Sequence, residues 1–194
     1  MFGEVKWDKL AGAYMTVWLV TNMLGVLFAK PVSARIGKKN TFIGAMLMCA
    51  VFSVLLLWLD PSQIGLIFLL NIFIGISAGI VLPLMWSMYA DIADYSEWRT
   101  GRRATGLVFS SSSMSQKMGW TLGGAITGWL LAAYGFEANA VQAQESLTGI
   151  KLMISVYPAI GATLSVLFLT IYKLSDKYMS NITKELEDRH RIKN

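Results

Sequence analysis

Charged residues avoid long stretches of this chain. Leu10–Ala29 and Asn40–Leu59 each run for 20 residues without a charge, Pro61–Ala90 for 30 and Leu152–Tyr172 for 21. A fifth stretch, Ala104–Phe136, covers 33 residues and is interrupted only by Lys117. A helix needs about 20 apolar residues to cross a hydrocarbon layer about 30 Å thick. In lipid the backbone must satisfy its own hydrogen bonds, and continuous apolar runs suit helices where barrel strands would alternate. The pattern predicts an all-α membrane protein with five transmembrane helices, over about 11–29, 41–59, 63–90, 104–134 and 151–173. Residues 1–174 would form the bundle and 175–194 a tail. In that tail Tyr178, Ile182 and Leu186, four apart, predict a short amphipathic helix over 175–190.

Composition narrows the function classes. The chain is 55% hydrophobic and only 15% charged, where a soluble domain carries about a quarter charged residues. Its single cysteine, Cys49, lies inside an apolar run and excludes a disulfide framework or a cysteine zinc site. Its single histidine, His190, stands four residues from the end and removes most histidine-dependent catalysis. No catalytic residue, resident metal or enzyme activity is expected.

The net charge of +5 is a topology signal, not a sign of nucleic-acid binding. Lys30, Arg35, Lys38 and Lys39 cluster in one inter-helix segment, and Arg99, Arg102 and Arg103 in another. Lys173, Lys177, Lys184, Arg189, Arg191 and Lys193 lie in the tail. These thirteen fall on one side of the predicted membrane, and only Lys6, Lys9 and Lys151 on the other. Positive-inside bias places 30–39, 91–103 and the C-terminus in the cytoplasm and the N-terminus outside. Met1–Glu4 has no basic region of the kind a signal peptide carries, so the chain reads as beginning in an external loop with a portion missing upstream.

Between the spans, Pro31–Asn40 is expected to be a basic loop turning at Gly37, Pro83 to kink the third helix, and Glu137–Ser146 to be a polar external loop. Asn181-Ile182-Thr183 matches a glycosylation acceptor, but the orientation puts it on the wrong side of the membrane.

Lys117 is the most informative residue. It lies 14 positions past Arg103, about 21 Å along a helix and too deep to reach the surface comfortably. A lysine there costs about 2.5–3.5 kcal/mol on insertion scales and normally faces a hydrated cavity or an acid. Ser110, Ser113, Lys117, Thr121, Gly124 and Gly128 share one narrow arc of a helical wheel. The alternative is a structural ion pair between helices. Every acid lies at a predicted membrane edge or beyond, so the partner expected for Lys117 is a substrate, water or another polypeptide segment.

A second constellation is Asp91, Asp94, Glu97, Arg99, Arg102 and Arg103, predicted to occupy a helix–loop–helix corner at the membrane surface. It reads equally as a solvated cluster of little energetic weight or as a latch that makes and breaks as a transporter changes its opening. Trp86, one turn before Asp91, reads as an interfacial anchor or a sugar-stacking platform. Gly75-Ile76-Ser77-Ala78-Gly79 matches a nucleophile elbow, but no span contains a histidine to act as base. Gly75/Gly79, Gly119/Gly123 and Gly124/Gly128 instead predict faces for close helix approach.

The stretch from Pro83 through Trp86, Asp91, Asp94, Tyr95, Glu97, Trp98 and Arg99 to Gly101 resembles the signature of the glycoside–pentoside–hexuronide cation symporters. These form the melibiose-permease-like branch of the major facilitator superfamily. Gln116-Lys117-Met118-Gly119, Gly128-Trp129-Leu130, Tyr134-Gly135-Phe136 and Tyr157-Pro158 continue the likeness, and Ala34–Lys39 is similar to the superfamily's basic inter-helix motif with its acid replaced by Ala34. The resemblance implies that the five spans correspond to helices eight to twelve of a twelve-helix fold. It implies that Lys117 matches a lysine used in sugar recognition and coupling, with Ser112, Ser113, Gln116 and Trp86 as substrate-binding candidates. Asp91, Asp94, Glu97, Arg99 and Arg103 would form a cytoplasmic gate. Leu82 stands where melibiose permease has its sugar-stacking tryptophan, a departure from the galactoside pattern.

The expected function is thus the C-terminal part of a sugar–cation symporter of the inner membrane, working by alternating access. Its partners would be a small sugar, the lipid bilayer and the absent N-terminal half, and it would have no cofactor. The coupling cation, Na+ or H+, would bind in the absent half. The alternative is a non-transporting five-span membrane module that binds or regulates a partner protein.

Overall fold

The computed structural model describes residues 7–193 and, among them, six α-helices, one 3-10 turn and no strand. The reading of Met1–Glu4 and Lys6 lies outside the described residues. The helices are α1 (Trp7–Ile36), α2 (Lys38–Leu55), α3 (Ile64–Thr100), α4 (Thr105–Ala133), α5 (Gln144–Thr170) and α6 (Asp176–Lys193), with the 3-10 turn Leu56–Trp58 extending α2. Four of them, α1, α2 with its extension, α3 and α5, are long and apolar enough to cross a membrane. At 29 residues α4 is long enough, but it is not among those four: five serines, three threonines, Gln116 and Lys117 dilute its apolar content.

Helix ends depart from the expectations drawn from charge. The basic segment after Ala29 is not a loop: α1 continues through Pro31 to Ile36, and α2 begins at Lys38. Gly37 alone separates them, at φ 87° and ψ 153°, a backbone region open in practice only to glycine. Helical hydrogen bonding resumes at once, with the Thr41 amide and hydroxyl both donating to the Gly37 carbonyl, at 3.0 and 2.7 Å. Likewise α3 does not stop at Ala90 but carries Asp91–Thr100 as regular helix. A charge marks where lipid ends, not where helical hydrogen bonding must end. The expected loop 137–146 is shorter, since α5 starts at Gln144. Gly135 closes α4 at φ 67°, with the Phe136 amide donating to the Leu131 carbonyl at 2.9 Å and the Gly135 amide to that of Ala132 at 3.0 Å. This is the paired C-terminal arrangement that a left-handed residue permits.

The chain divides into two compact units, one comprising residues 1–83 and 151–171 and the other 84–150 and 172–194. The first boundary falls directly after Pro83, inside α3.

In the first unit α1 and α3 touch backbone to backbone. A Cβ on Gly25 would strike the Ile76 carbonyl, one on Gly79 the Asn22 carbonyl, and one on Gly75 the Thr21 hydroxyl. Such small-residue contacts suit lipid, where burying leucine against leucine gains little over leaving it in acyl chains. The buried set follows that logic, with Thr21, Ala29, Ala45, Asn71, Ser77 and Ala159 among its members. Asn71, 1% exposed, donates to the Tyr14 carbonyl at 2.9 Å and ties α3 to α1. Ala50 of α2 packs with Ala159 and Ala162 of α5. Lys39 Nζ donates to the Thr170 carbonyl at 3.1 Å, where a cation favourably meets a helix C-terminus. Large apolar side chains such as Met23, Leu27, Trp58, Leu167 and Phe168 point outward, as lipid-facing residues do.

Candidate functional site

Two groupings in the second unit contain the residues singled out from sequence. The first is α4. Lys117 is its thirteenth residue, about 18 Å along the axis from Thr105. It lines an open groove of about 650 Å³ with Ser110, Ser113, Met114, Met118, Thr121 and Leu122. All seven belong to α4, so the groove is one face of a single helix, and the wheel arc of hydroxyls around the lysine is reproduced. Among the described residues no hydrogen bond or ion pair engages the Lys117 ammonium; the Lys117 carbonyl accepts from the Thr121 hydroxyl at 2.9 Å within the helix. Gly119, Gly123, Gly124 and Gly128 open onto empty space: a Cβ at any of them would meet nothing within 4 Å. The expectation that these four mediate close helix approach is thus not met among the described residues, in contrast to Gly75 and Gly79.

Not all the binding candidates share the Lys117 groove. Ser113 does, but the Ser112 hydroxyl donates to the Val108 carbonyl at 2.7 Å, and Gln116 Nε2 reaches Met85 Sδ of α3 at 3.8 Å. Trp86 of α3 stacks on Phe109 of α4, with ring centroids 5.8 Å apart at 14°, and meets Tyr89 edge-on. Gln116 and Trp86 therefore sit where α3 meets α4, with Trp86 still 38% exposed.

The second grouping is the C-terminal end of α3. Glu97, with its side chain only 12% exposed, is approached from two directions: Arg103 Nε lies at ion-pair distance, 3.7 Å, from one carboxylate oxygen and His190 Nε2 2.9 Å from the other. Arg103 Nε also donates to the Thr105 hydroxyl at 3.2 Å. Arg99 is exposed, and Asp91 and Asp94 are half-buried one turn apart. Past the end of α5, Tyr172 lies near Asp91 and Asp176; burial, and then the two carboxylates, push its phenol up, so it stays protonated and neutral.

The amphipathic helix expected over 175–190 is present as α6, and what composition and motif reading missed is the surface it packs on. Its buried ridge is Met179, Ile182 and Leu186, packed against Tyr95, Trp98 and Leu174. The expected Tyr178 lies at the rim of that ridge, its ring near those of Tyr95 and Trp98. Trp98 Nε1 donates to Glu185 Oε2 at 2.6 Å, and Arg189 donates to the Trp98 carbonyl at 3.1 Å. The amphipathic spacing in the tail was the available signal, but nothing in it named the partner surface.

A family model described as MFS/sugar transport protein matches residues 5–176. The chain belongs to this family, the glycoside–pentoside–hexuronide cation symporters. It is similar to the isoprimeverose transporter of Lactiplantibacillus pentosus, at 36% identity over 189 residues, 96% of this chain and 39% of that protein. It resembles the putative glycoside/cation symporter YagG of Escherichia coli at 34% over 179 residues, 92% of this chain and 39% of the relative. The inner membrane symporter YicJ of the same organism is 34% identical over 176 residues, 90% of this chain and 37% of its own length. The chain thus spans under two-fifths of each of these relatives. The family is one of transporters, not enzymes.

Proposed function

We propose that this chain forms helices eight to twelve of a twelve-helix sugar–cation symporter of the inner membrane, with its C-terminus in the cytoplasm and α4 as its fifth span. A sugar substrate is supported by the likeness to a putative glycoside/cation symporter and an isoprimeverose transporter. The single observation that carries the mechanism is Lys117, a cation midway along α4, on a face of hydroxyls and glycines, without a partner among the described residues. In lipid that arrangement would cost several kcal/mol; facing a hydrated path it presents three donors to sugar hydroxyls.

On this reading Lys117 and Ser113 bind the sugar from α4, while Gln116, Ser112 and Trp86 shape the α3 side. Asp91, Asp94, Glu97, Arg99 and Arg103 close the cytoplasmic opening. Alternating access then exposes the sugar to one side of the membrane at a time.

Cation-coupled uptake by the full-length transporter tests this. Lys117→Gln should reduce sugar uptake roughly 10- to 100-fold, the loss of a charged hydrogen bond to a bound ligand. Lys117→Arg should retain more of it. Unchanged uptake with Lys117→Gln would overturn the role assigned to the lysine.

A further inference from the structure

In the first unit α2 and α5 run antiparallel. Lys39 meets the Thr170 carbonyl at one end, and Ala50 packs on Ala159 and Ala162 in the middle. Alongside that contact, and on toward Trp58, an open groove of about 360 Å³ runs between the two helices. Val51, Leu55 and Trp58 wall it from α2, Ala159 and Thr163 from α5, and the buried Ala50 lies at its floor. The Thr163 hydroxyl donates to the Ala159 carbonyl at 2.8 Å, so the groove offers no free hydroxyl.

The same register places a cation at the end of this groove. Eight residues on from Ala50 is Trp58, and eight back from Ala159 is Lys151, so the two stand level. Lys151, Ser155, Ala159 and Ala162, spaced by four, four and three, share the face of α5 that meets α2. Trp58 is 68% exposed, as an aromatic ring at a membrane interface is. Among the described residues no hydrogen bond or ion pair engages the Lys151 ammonium, and none joins it to Asp60, the acid two positions past Trp58.

We propose that this groove is a phospholipid site, with one acyl chain of phosphatidylglycerol lying between α2 and α5 and its phosphate held by Lys151. Both helices are long and apolar enough to cross a membrane, so the groove opens onto acyl chains. Filling it restores dispersion contacts that an empty groove forfeits. A helix would fit poorly, because close helix approach needs small residues at the rim and this rim carries Val51, Leu55 and Trp58. A flexible acyl chain follows such a rim. The glycerol headgroup leaves the phosphate its whole charge, whereas ethanolamine brings a cation that competes with Lys151. The site does not depend on the sugar-binding role of Lys117.

Native mass spectrometry of the chain in detergent, with equimolar phosphatidylglycerol and phosphatidylethanolamine added, provides the test. Phosphatidylglycerol should be retained roughly fivefold over phosphatidylethanolamine, the factor one lysine contributes beside an anionic lipid. Lys151→Gln should bring the two lipids level. Val51→Trp, at a 55% exposed position, should fill the groove and lower retention of both lipids while the thermal midpoint stays near that of the parent. Lys9→Gln, at an exposed lysine on α1 outside the groove, should leave the preference intact. Equal retention by the parent protein, a preference that survives Lys151→Gln, or one lost equally with Lys9→Gln would overturn the proposal. So would a preference for phosphatidylethanolamine abolished by Asp60→Asn, which marks a zwitterionic site, or a dimer broken by Val51→Trp, which makes the occupant a second copy.

Discussion

The glycines of α3 and those of α4 carry the same sequence signal and meet opposite fates. Gly75 and Gly79 are filled by α1 so closely that a methyl group would strike Thr21 Oγ1 or the Asn22 carbonyl. Gly119, Gly123, Gly124 and Gly128 have the same four-residue spacing and meet nothing within 4 Å. Small-xxx-small spacing thus reports that a helix is prepared for close contact, and not that the contact is made within the same chain. The α4 surface also carries Lys117 and the hydroxyls of Ser110, Ser113 and Thr121.

Substitution separates the two surfaces. The largest effect is expected from Gly79→Leu, which forces a side chain into backbone. It should destabilise the chain by about 3 kcal/mol, the upper range for overpacking, measured by denaturant unfolding in detergent. Next comes Leu186→Ala, which removes a buried contact from the α6 ridge and should cost about 2 kcal/mol in the same assay. Asn71→Val breaks one hydrogen bond between α3 and α1; intramembrane bonds of this kind average about 0.6 kcal/mol. The smallest effect belongs to Gly124→Ala, within about 0.5 kcal/mol of the parent. A loss as large as that of Gly79→Leu would show α4 to be packed and erase the contrast.

Four of the five expected spans were legible because lipid imposes so simple a rule, an uncharged run of about 20 residues. Their ends were not. Asp91, Asp94 and Glu97 read as a corner, yet α3 passes through all three, since leaving lipid does not interrupt the backbone hydrogen bonds of a helix. The basic run after Ala29 misled in the same way, with Pro31 as an apparent stop that α1 accommodates. On α4 the grouping of Ser110, Ser113, Lys117 and Thr121 was readable, because a helical wheel needs only 3.6-residue periodicity. Which glycine faces would be filled was not readable, since spacing says nothing of the neighbour. Nor was the link between Glu97 and His190, which are 93 positions apart and joined only once α6 lies against α3. His190 looked dispensable when the question was catalysis, and its place emerged from packing.

The single residue between α1 and α2 has a mechanical consequence. Two rods of 30 and 18 residues share one articulation, the torsions of Gly37, with no slack on either side. A tilt of one must be absorbed in that pivot or handed on to the other. Any residue bearing a Cβ would stiffen the elbow, so helix movement in this part of the protein is that of a jointed lever and not of two independent struts.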